Sequence, residues 1–141
     1  MKNDFLAFVS SVALVEISKL SLETKRGSLR EFDSVMFLRL ILETEAKYNV
    51  KFSLEESARL ETLGDFYRKI VEEKLKEIIA RSFPEAGSVQ LSAKIRDFDG
   101  WSSLAAFSIL ISIEREFDKT LSVQELLKCD TLSDLVSAIE R

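Results

Sequence analysis

Hydrophobic residues recur along the chain at intervals of three and four positions, the period of an α-helix with one buried face. A first helix is indicated by the apolar residues Phe5, Phe8, Val9, Val12, Ala13 and Ile17. Polar residues 21–27 then interrupt the pattern and indicate a surface loop. A second helix is predicted to begin at Asp33 and Ser34 and to end at Tyr48. Its predicted buried face consists of Val35, Leu38, Leu42 and Ala46.

Two short polar motifs mark the starts of further helices. Ser53 and Glu56 form the Ser-x-x-Glu pattern of a capping box, in which each side chain hydrogen-bonds the backbone of the other residue. Thr62 and Asp65 form the related Thr-x-x-Asp pattern. These motifs predict a short third helix and the start of a fourth.

The fourth helix carries no stop signal. Between Leu63 and Phe83 the only helix-breaking residue is Gly64, which lies near the start. The helical period is continued by Ile70, Val71, Leu75, Ile78 and Ile79. We therefore predict one continuous helix across about residues 63–83, with a kink near residues 70–73 as the alternative. Pro84 ends this helix, and a second long loop runs on to Trp101.

The remaining residues repeat the same order of elements. A helix is predicted to begin at Ser102 and Ser103, and its buried face is formed by Leu104, Phe107, either Leu110 or Ile111, and Phe117. Ser122 with Glu125 forms another capping box, and Thr131 with Asp134 starts a last helix. The whole pattern predicts an all-α fold.

Residues in the two halves of the chain match at a constant offset of 69 positions. The matched pairs are Ser34 with Ser103, Ser53 with Ser122, Glu56 with Glu125, Thr62 with Thr131, Leu63 with Leu132, Asp65 with Asp134 and Ile70 with Ile139. A constant offset without gaps is typical of an internal duplication. We therefore expect two domains, residues 1–70 and residues 71–141.

Composition narrows the classes of function. The chain has no histidine, which removes the commonest general base and the commonest metal ligand. The loop acids Glu85, Asp97 and Asp99 lack regular ligand spacing and are predicted to be solvated. We therefore expect neither an enzyme nor a metal site. Residues 1–70 carry 11 basic and 11 acidic side chains and residues 71–141 carry 9 and 13, so neither half has the basic surface of a nucleic-acid-binding protein.

Apolar runs in the chain are too short or too interrupted to span a bilayer. The single cysteine, Cys129, matches Leu60 in the first half and is predicted to be a buried apolar residue rather than a reactive thiol. One cysteine excludes an internal disulfide, which fits a reducing compartment. We expect a cytoplasmic protein and a monomer.

The order of elements in each half (a long helix, a long loop, a serine-initiated helix, a short capped helix and a fourth helix) resembles the acyl carrier protein family. The family motif is Asp-Ser-Leu at the start of helix two, which ends in an acidic cluster. The first half reads Asp33-Ser34-Val35 and then residues 43–49, and the second reads Ser102-Ser103-Leu104 and then residues 114–118. The resemblance implies two tandem acyl-carrier-protein-like four-helix bundles.

The resemblance implies that Ser34 and Ser103 are attachment points for covalent 4'-phosphopantetheine, whose thiol carries an acyl or aminoacyl group as a thioester. Asp33 and Ser102, which precede them, would be motif residues and helix caps. The implied partners are a phosphopantetheinyl transferase, an acyl or aminoacyl ligase, and acyl-transfer or condensing enzymes. A phosphodiester at these serines would lie at the positive end of a helix dipole. The alternative is that both serines are helix caps only.

Both halves depart from the family pattern near the serine. Ser102 stands where the family has an aspartate, and this removes a carboxylate that transferases commonly engage. Positions that are typically acidic in the family hold apolar, basic or small residues here. We expect the partner-docking residues to be Met36, Phe37, Arg39, Ala105 and Ala106. The alternative is that Met36, Phe37 and Ile41 pack on the neighbouring repeat.

The resemblance predicts a carrier with two repeats, served by a dedicated ligase and acyl-transfer partner of a specialised fatty-acid or polyketide-like pathway. Two alternatives stay open. In one, only one of the two serines is functional. In the other, the chain is a helical adaptor that binds other proteins and is never modified.

Overall fold

The computed structural model describes residues 1–84 and 87–141; residues 85 and 86, which include the predicted solvated acid Glu85, lie outside the described residues. The described residues form seven α-helices and two short 3₁₀ turns. The helices are α1 (Lys2–Ala13), α2 (Ser34–Tyr48), α3 (Leu54–Arg59), α4 (Leu63–Ser82), α5 (Ser103–Phe117), α6 (Val123–Lys128) and α7 (Leu132–Glu140), and the turns are Ile17–Lys19 and Ile95–Asp97. Within these residues the backbone forms isolated bridges but no strand. The prediction of an all-α fold is confirmed.

The chain separates into two compact units, Met1–Ile70 (unit 1) and Val71–Arg141 (unit 2). Helices α1 to α3 belong to unit 1, and α5 to α7 belong to unit 2. Helix α4 runs for 20 residues without interruption through the position at which the units divide. Its length agrees with the predicted helix over about residues 63–83. It follows that residues from one helix enter the core of both units.

The helices α3, α4, α6 and α7 begin at the capping residues that the sequence predicts. In each capping box the N-cap side chain accepts a hydrogen bond from the third residue's N–H, and the acidic side chain accepts one from the N-cap residue's N–H. The boxes are Ser53 with Glu56 on α3, Ser122 with Glu125 on α6 and Thr131 with Asp134 on α7. Thr62 and Asp65 make the same pair of bonds at the start of α4, at 3.2 and 3.0 Å.

Helix α1 ends earlier than its apolar spacing predicts. Leu14 adopts the left-handed conformation with φ 57°, and the N–H of Val15 donates to the carbonyl of Ser10. This bond is the kind that closes a helix at its C-terminus. Ile17, predicted to continue the buried face of the helix, lies instead in a 3₁₀ turn and is about half exposed. The prediction for Ile17 is wrong because a local backbone reversal ends the helix three residues before it.

The long loop of each unit is held to the start of a later helix by three backbone hydrogen bonds. In unit 1 they run from Arg26 to Glu61, Leu63 to Thr24 and Gly64 to Leu22, at 2.8, 3.0 and 2.7 Å. In unit 2 they run from Ile95 to Asp130, Leu132 to Ala93 and Ser133 to Leu91, at 3.1, 3.1 and 2.9 Å. Each bond in unit 2 has its counterpart in unit 1 at the offset of 69 positions. The same loop anchor is therefore built twice.

The buried faces of α2 and α5 differ from the predicted ones. In α2 the buried residues are Phe37, Leu40 and Thr44, whereas the predicted set Val35, Leu38, Leu42 and Ala46 is exposed. In α5 the buried residues are Ile109, Ile113 and Phe117, whereas Leu104, Phe107 and Ile111 are exposed. Of the two predicted faces, only Phe117 is correct. Each helix has apolar residues on two faces, and the period alone cannot tell which face the rest of the unit covers.

Candidate functional site

Ser34 is the first residue of α2 and its side chain is exposed. The preceding residue, Asp33, is the N-cap, and its carboxylate accepts a hydrogen bond from the N–H of Met36 at 2.8 Å. This bond fixes the first turn of the helix and does not involve the Ser34 hydroxyl. The predicted role of Asp33 as a helix cap is confirmed.

Ser103 has the same position at the start of α5. It is the first helical residue, it is exposed, and the N-cap Ser102 accepts a hydrogen bond from the N–H of Ala105 at 3.1 Å. Ser102 therefore caps the helix as Asp33 does, but without a negative charge. The first turn of α5 carries no acidic residue. The two sites share their geometry and differ in their charge.

Aromatic packing supports the chain immediately before each serine. In unit 1 the buried ring of Phe32 contacts Phe37, at 6.2 Å between centroids, and Phe37 contacts Phe66 at 5.4 Å. In unit 2 the buried ring of Phe83 stacks on Phe98 at 5.2 Å and approaches Trp101 at 6.4 Å. Because these rings anchor the residue two positions before each serine, Phe32 in unit 1 and Trp101 in unit 2, each serine follows a packed segment of chain.

Exposed apolar side chains begin directly after each serine and follow one face of the helix. Stripe 1 consists of Val35, Leu38 and Leu42, which are 76, 59 and 59% exposed. Stripe 2 consists of Leu104, Phe107 and Ile111, which are 81, 55 and 55% exposed. The spacing of three and four residues places each set on one side of its helix. Contiguous exposed apolar side chains are typical of a surface that binds another molecule.

The residues of both stripes are predicted from the helical period to lie in the core, but they lie on the surface. A usable signal was present, because each helix holds more apolar positions than one buried face can take. The same three positions are apolar in both halves at the offset of 69. Both helices have apolar residues on two faces, and only one of these faces can be buried in the core of the unit. The other face is therefore expected to be exposed.

The predicted docking residues fall into two groups. Arg39 is exposed, and Met36, Ala105 and Ala106 are partly exposed, so these four remain available to a partner. Phe37 is only 3% exposed and packs between Phe32 and Phe66. The prediction that Phe37 contacts a partner is therefore wrong, because its ring is part of the core of unit 1.

Charge is sparse on the helix surfaces beside the serines. After Ser34 the first acidic residue of α2 is Glu43, and after Ser103 the first of α5 is Glu114. Both acids lie beyond the last residue of their stripe. The helix segments 35–42 and 104–111 that follow the serines therefore carry no acidic side chain, and in unit 1 this segment includes the exposed basic side chain of Arg39.

Cys129 contributes no reactive group to either site. It is buried, it is a free thiol, and its sulfur lies 3.4 Å from the carbonyl oxygen of Glu125. Burial raises the pKa of this thiol, with a further contribution from the charge of Asp134. The prediction that Cys129 is a buried apolar residue is confirmed.

Residues 73–139 match the family model described as the phosphopantetheine attachment site. The matched range lies within unit 2 and contains Ser103. The match supports a phosphopantetheine-binding domain of the carrier-protein type across residues 73–139. The predicted cofactor, covalent 4'-phosphopantetheine, is confirmed as the group that this domain binds.

A solved structure titled "Mupirocin didomain ACP" is similar over 99% of this chain and 95% of its own, at 14% identity and a TM-score of 0.39. No curated protein sequence matches the chain. Among residues 1–84 and 87–141, no helix is both long and apolar enough to cross a membrane. The same residues contain no group of three or more His, Cys, Asp or Glu that could hold a metal ion.

The geometry at both serines fits a phosphopantetheine group. An exposed hydroxyl on the first residue of a helix can be reached by a transferase without unfolding the unit. A phosphodiester formed there lies near the backbone N–H groups of the first turn that the cap side chain does not use. The helix dipole adds about 0.3–1 kcal/mol for a negative charge at such a position.

Proposed function

We propose that this protein is an acyl carrier with two repeats. In this proposal Ser34 and Ser103 each carry a 4'-phosphopantetheine arm, and each arm holds an acyl or aminoacyl group as a thioester for a specialised fatty-acid or polyketide-like pathway. The observation that carries the proposal is the position of Ser103, exposed on the first residue of α5, inside the range 73–139 that matches the phosphopantetheine family.

The assignment of Ser34 rests on the correspondence between the units. Unit 1 has the same order of helices, a serine at the first position of the matching helix, and the same three loop-anchoring hydrogen bonds at the offset of 69 positions. It also keeps the aspartate before the serine that the family motif contains. These observations support an attachment site in unit 1, although the family match itself covers unit 2.

In this proposal the protein carries the acyl group, and its partner enzymes catalyse the reactions. Activation of a serine hydroxyl requires a base, and the chain has no histidine, the commonest general base. The phosphopantetheinyl transferase, the acyl or aminoacyl ligase and the acyl-transfer or condensing enzymes would bring their own catalytic groups. What this chain supplies is an exposed, fixed point of attachment and a surface that these enzymes can bind.

Stripes 1 and 2 are the surfaces that we propose for docking. Val35 and Leu104 adjoin the two serines in sequence, so an enzyme that reaches either hydroxyl must come close to the stripe beside it. No acidic residue lies between either serine and the end of its stripe. We therefore expect binding to be driven by apolar burial and to depend weakly on salt, since screening acts on charge pairs. Met36, Arg39, Ala105 and Ala106 border the stripes and would set the choice of partner.

Substitution of exposed stripe residues by a charged residue tests this docking surface. Leu38→Glu is expected to slow loading at Ser34 about tenfold, a loss of about 1.4 kcal/mol that is in the range for one of the few dominant residues of an interface, without slowing loading at Ser103. Phe107→Glu should do the reverse. Each variant is measured with the opposite serine intact as an internal control. Equal slowing at both serines, or at neither, would remove the stripes from the proposal.

Single-serine variants test the attachment sites themselves. Ser34→Ala and Ser103→Ala are incubated with coenzyme A and a broad-specificity phosphopantetheinyl transferase, and the intact masses are recorded. The proposal predicts one added arm on each variant and none on the double variant. Addition to one variant only would establish a carrier with a single functional serine. If only one serine is functional, we expect it to be Ser34, because Asp33 precedes it as in the family motif, whereas Ser102 leaves Ser103 without that carboxylate.

A location in the cytoplasm and a monomeric state complete the proposal. The cysteine is free and buried, which is compatible with a reducing compartment. Two attachment sites on one chain would raise the local concentration of carrier for a bound enzyme without any need for a second copy. Light scattering coupled to size exclusion measures the oligomeric state, and a dimer at micromolar concentration would contradict it.

A further inference from the structure

The loop before α2 places a basic side chain against the start of that helix. The N–H of Gly27 donates to the carbonyl of Phe32 at 2.7 Å, and this bond closes the loop and brings residue 26 beside residue 32. The guanidinium of Arg26 lies over the ring of Phe37, with Cζ 5.6 Å from the ring centroid. Arg26 is exposed to solvent. Its charge is therefore held at the surface of unit 1, in contact with the fourth residue of α2.

Phe37 connects the position of Arg26 to that of Ser34. Ser34 and Phe37 are three residues apart on α2, so their Cβ atoms are about 5–6 Å apart. Side chains of an α-helix point back toward its N-terminus, so the ring of Phe37 lies over the turn that begins with Ser34. A guanidinium over this ring is a near neighbour of any group attached to Ser34, and the long arginine side chain can turn toward it.

The guanidinium of Arg26 is available to an anion. Through its side chain it makes no hydrogen bond or ion pair with residues 1–84 and 87–141, where its contact is the face of the Phe37 ring. Arginine has five N–H donors in a planar arrangement that matches the oxygens of a phosphate group. The donor set therefore fits a phosphodiester, which is the charged part of a phosphopantetheine arm.

The charges at two positions beside the serine differ together between the units. Asp33 and Arg26 of unit 1 correspond at the offset of 69 to Ser102 and Ile95 of unit 2, and Ile95 is buried. A phosphodiester on Ser34 would lie next to the carboxylate of Asp33, and two negative charges at close range repel each other. Unit 1 thus has an acid that opposes the phosphodiester and a base that offsets the acid. Unit 2 has an uncharged residue at both positions.

The arginine in the corresponding loop of unit 2 has a different partner. The guanidinium of Arg96 donates to the carbonyl oxygen of Leu127, in the last turn of α6. Asp99 in this loop also stands at the position where unit 1 has the exposed Arg30, so the sign of the charge is reversed there. Of the two loops, that of unit 1 therefore holds the arginine that is available to a phosphodiester.

We propose that Arg26 binds the phosphodiester of the 4'-phosphopantetheine arm on Ser34 and holds the base of this arm against unit 1. This inference rests on the proposed function, because the phosphodiester forms only when Ser34 is loaded. A guanidinium can donate to two phosphate oxygens at once, and such charge-assisted pairs are stronger than neutral hydrogen bonds. Arg26 is a positioning residue for the arm of unit 1. The arm on Ser103, with the apolar Ile95 at the matching position, is more mobile at its base.

The test uses proteins that carry one arm each. The Ser103→Ala protein is loaded at Ser34 and the Ser34→Ala protein at Ser103, with coenzyme A and a broad-specificity phosphopantetheinyl transferase, and intact mass confirms one arm. Phosphorus NMR then reports on the single phosphodiester of each protein. Arg26→Met, made in both proteins, removes the charge and keeps an apolar side chain over Phe37. Lys25→Met is the matched control, because it removes the same charge from the adjacent exposed residue.

The proposal predicts that Arg26→Met moves the phosphorus resonance of the arm on Ser34 and leaves that of the arm on Ser103 unchanged. The shift in melting temperature caused by loading Ser34 should be about 2–4 °C less favourable in Arg26→Met than in the parent, the effect of an exposed ion pair in a unit of this size. Arg26→Lys keeps the charge and should recover part of this difference. High salt should reduce the difference, because the pair is exposed to solvent.

Two results would overturn the contact between Arg26 and the arm. One is a phosphorus resonance and a loading shift that are the same in the parent and in Arg26→Met. The other is an effect of Lys25→Met as large as that of Arg26→Met, which would show a general effect of charge in place of a contact. Both would leave the carrier function intact, since they require that Ser34 is loaded. Failure to load Ser34, in a protein that still loads Ser103, would overturn the attachment site in unit 1 and this inference with it.

Discussion

Alanine substitutions of Leu38 and Leu40 on α2 test the assignment of its buried face with identical chemistry at two neighbouring positions. Leu40 is 1% exposed and Leu38 is 59% exposed. Removing the buried leucine loses its transfer free energy and leaves a cavity, so Leu40→Ala is expected to cost about 2–5 kcal/mol. Full burial of a leucine contributes about 1.5–3 kcal/mol, so truncation of the largely exposed Leu38 should cost about 1 kcal/mol or less.

The difference is large compared with the stability of the unit. A domain of this size has a free energy of unfolding of about 4–10 kcal/mol, so Leu40→Ala removes a large fraction of it. Urea unfolding followed by far-ultraviolet circular dichroism measures the loss. Ile113→Ala and Ile111→Ala form the matched pair on α5, where the side chains are 0 and 55% exposed. Trp101, the one tryptophan of the chain, reports on unit 2 by fluorescence.

A loss of stability for Leu38→Ala equal to or greater than that for Leu40→Ala would refute the assignment of the buried face. The same reversal between Ile111 and Ile113 would refute it for α5. In either case the exposed stripes, and the docking surface proposed from them, would be removed together with the face on which they depend.

Three further predictions concern single residues. Leu14→Gly should raise the free energy of unfolding by about 1 kcal/mol, because the exposed Leu14 holds a left-handed φ that strains a residue with a Cβ; no gain in urea unfolding would contradict this. Burial raises the pKa of Glu56, but hydrogen bonds with Lys69 and Ser53 outweigh it and hold the pKa below its ordinary value of 4.5. The ionised carboxylate therefore stabilises the fold above that value, and this contribution is lost as pH falls through the lowered pKa; Glu56→Gln should flatten the melting temperature against pH in that range. The buried Cys129 should react with a thiol reagent at pH 8 much more slowly in the folded protein than in urea, and equal rates would show that it is accessible.

The elements that the sequence predicted well are those determined locally. Capping boxes such as Ser53 with Glu56 are formed within four residues, so the residue types are enough to predict them. The uninterrupted α4 follows from the lack of a breaker between Gly64 and Pro84. The positions of Ser34 and Ser103 follow from the caps that precede them.

The features that were predicted poorly from the sequence are mainly the buried faces of helices, which depend on the residues of other elements that pack against them. Leu38 and Leu40 are both apolar and differ only in which of them meets the rest of the unit, which the helical period does not specify. The same limit placed the stripes in the core, whereas Phe37 was predicted to contact a partner from its position in the family pattern, which does not show that its ring is buried. The end of α1 was missed because Leu14, a residue with no preference for a left-handed φ, takes the position that glycine usually holds.

The measurement that tests the central proposal most directly is the intact mass of the unaltered protein after incubation with coenzyme A and a broad-specificity phosphopantetheinyl transferase. The account predicts a mass increase of two phosphopantetheine arms, and peptide mapping should place them on Ser34 and Ser103. No increase, in a sample shown to be folded and unmodified at the start, would contradict the carrier function and favour an adaptor that binds partners through its exposed stripes.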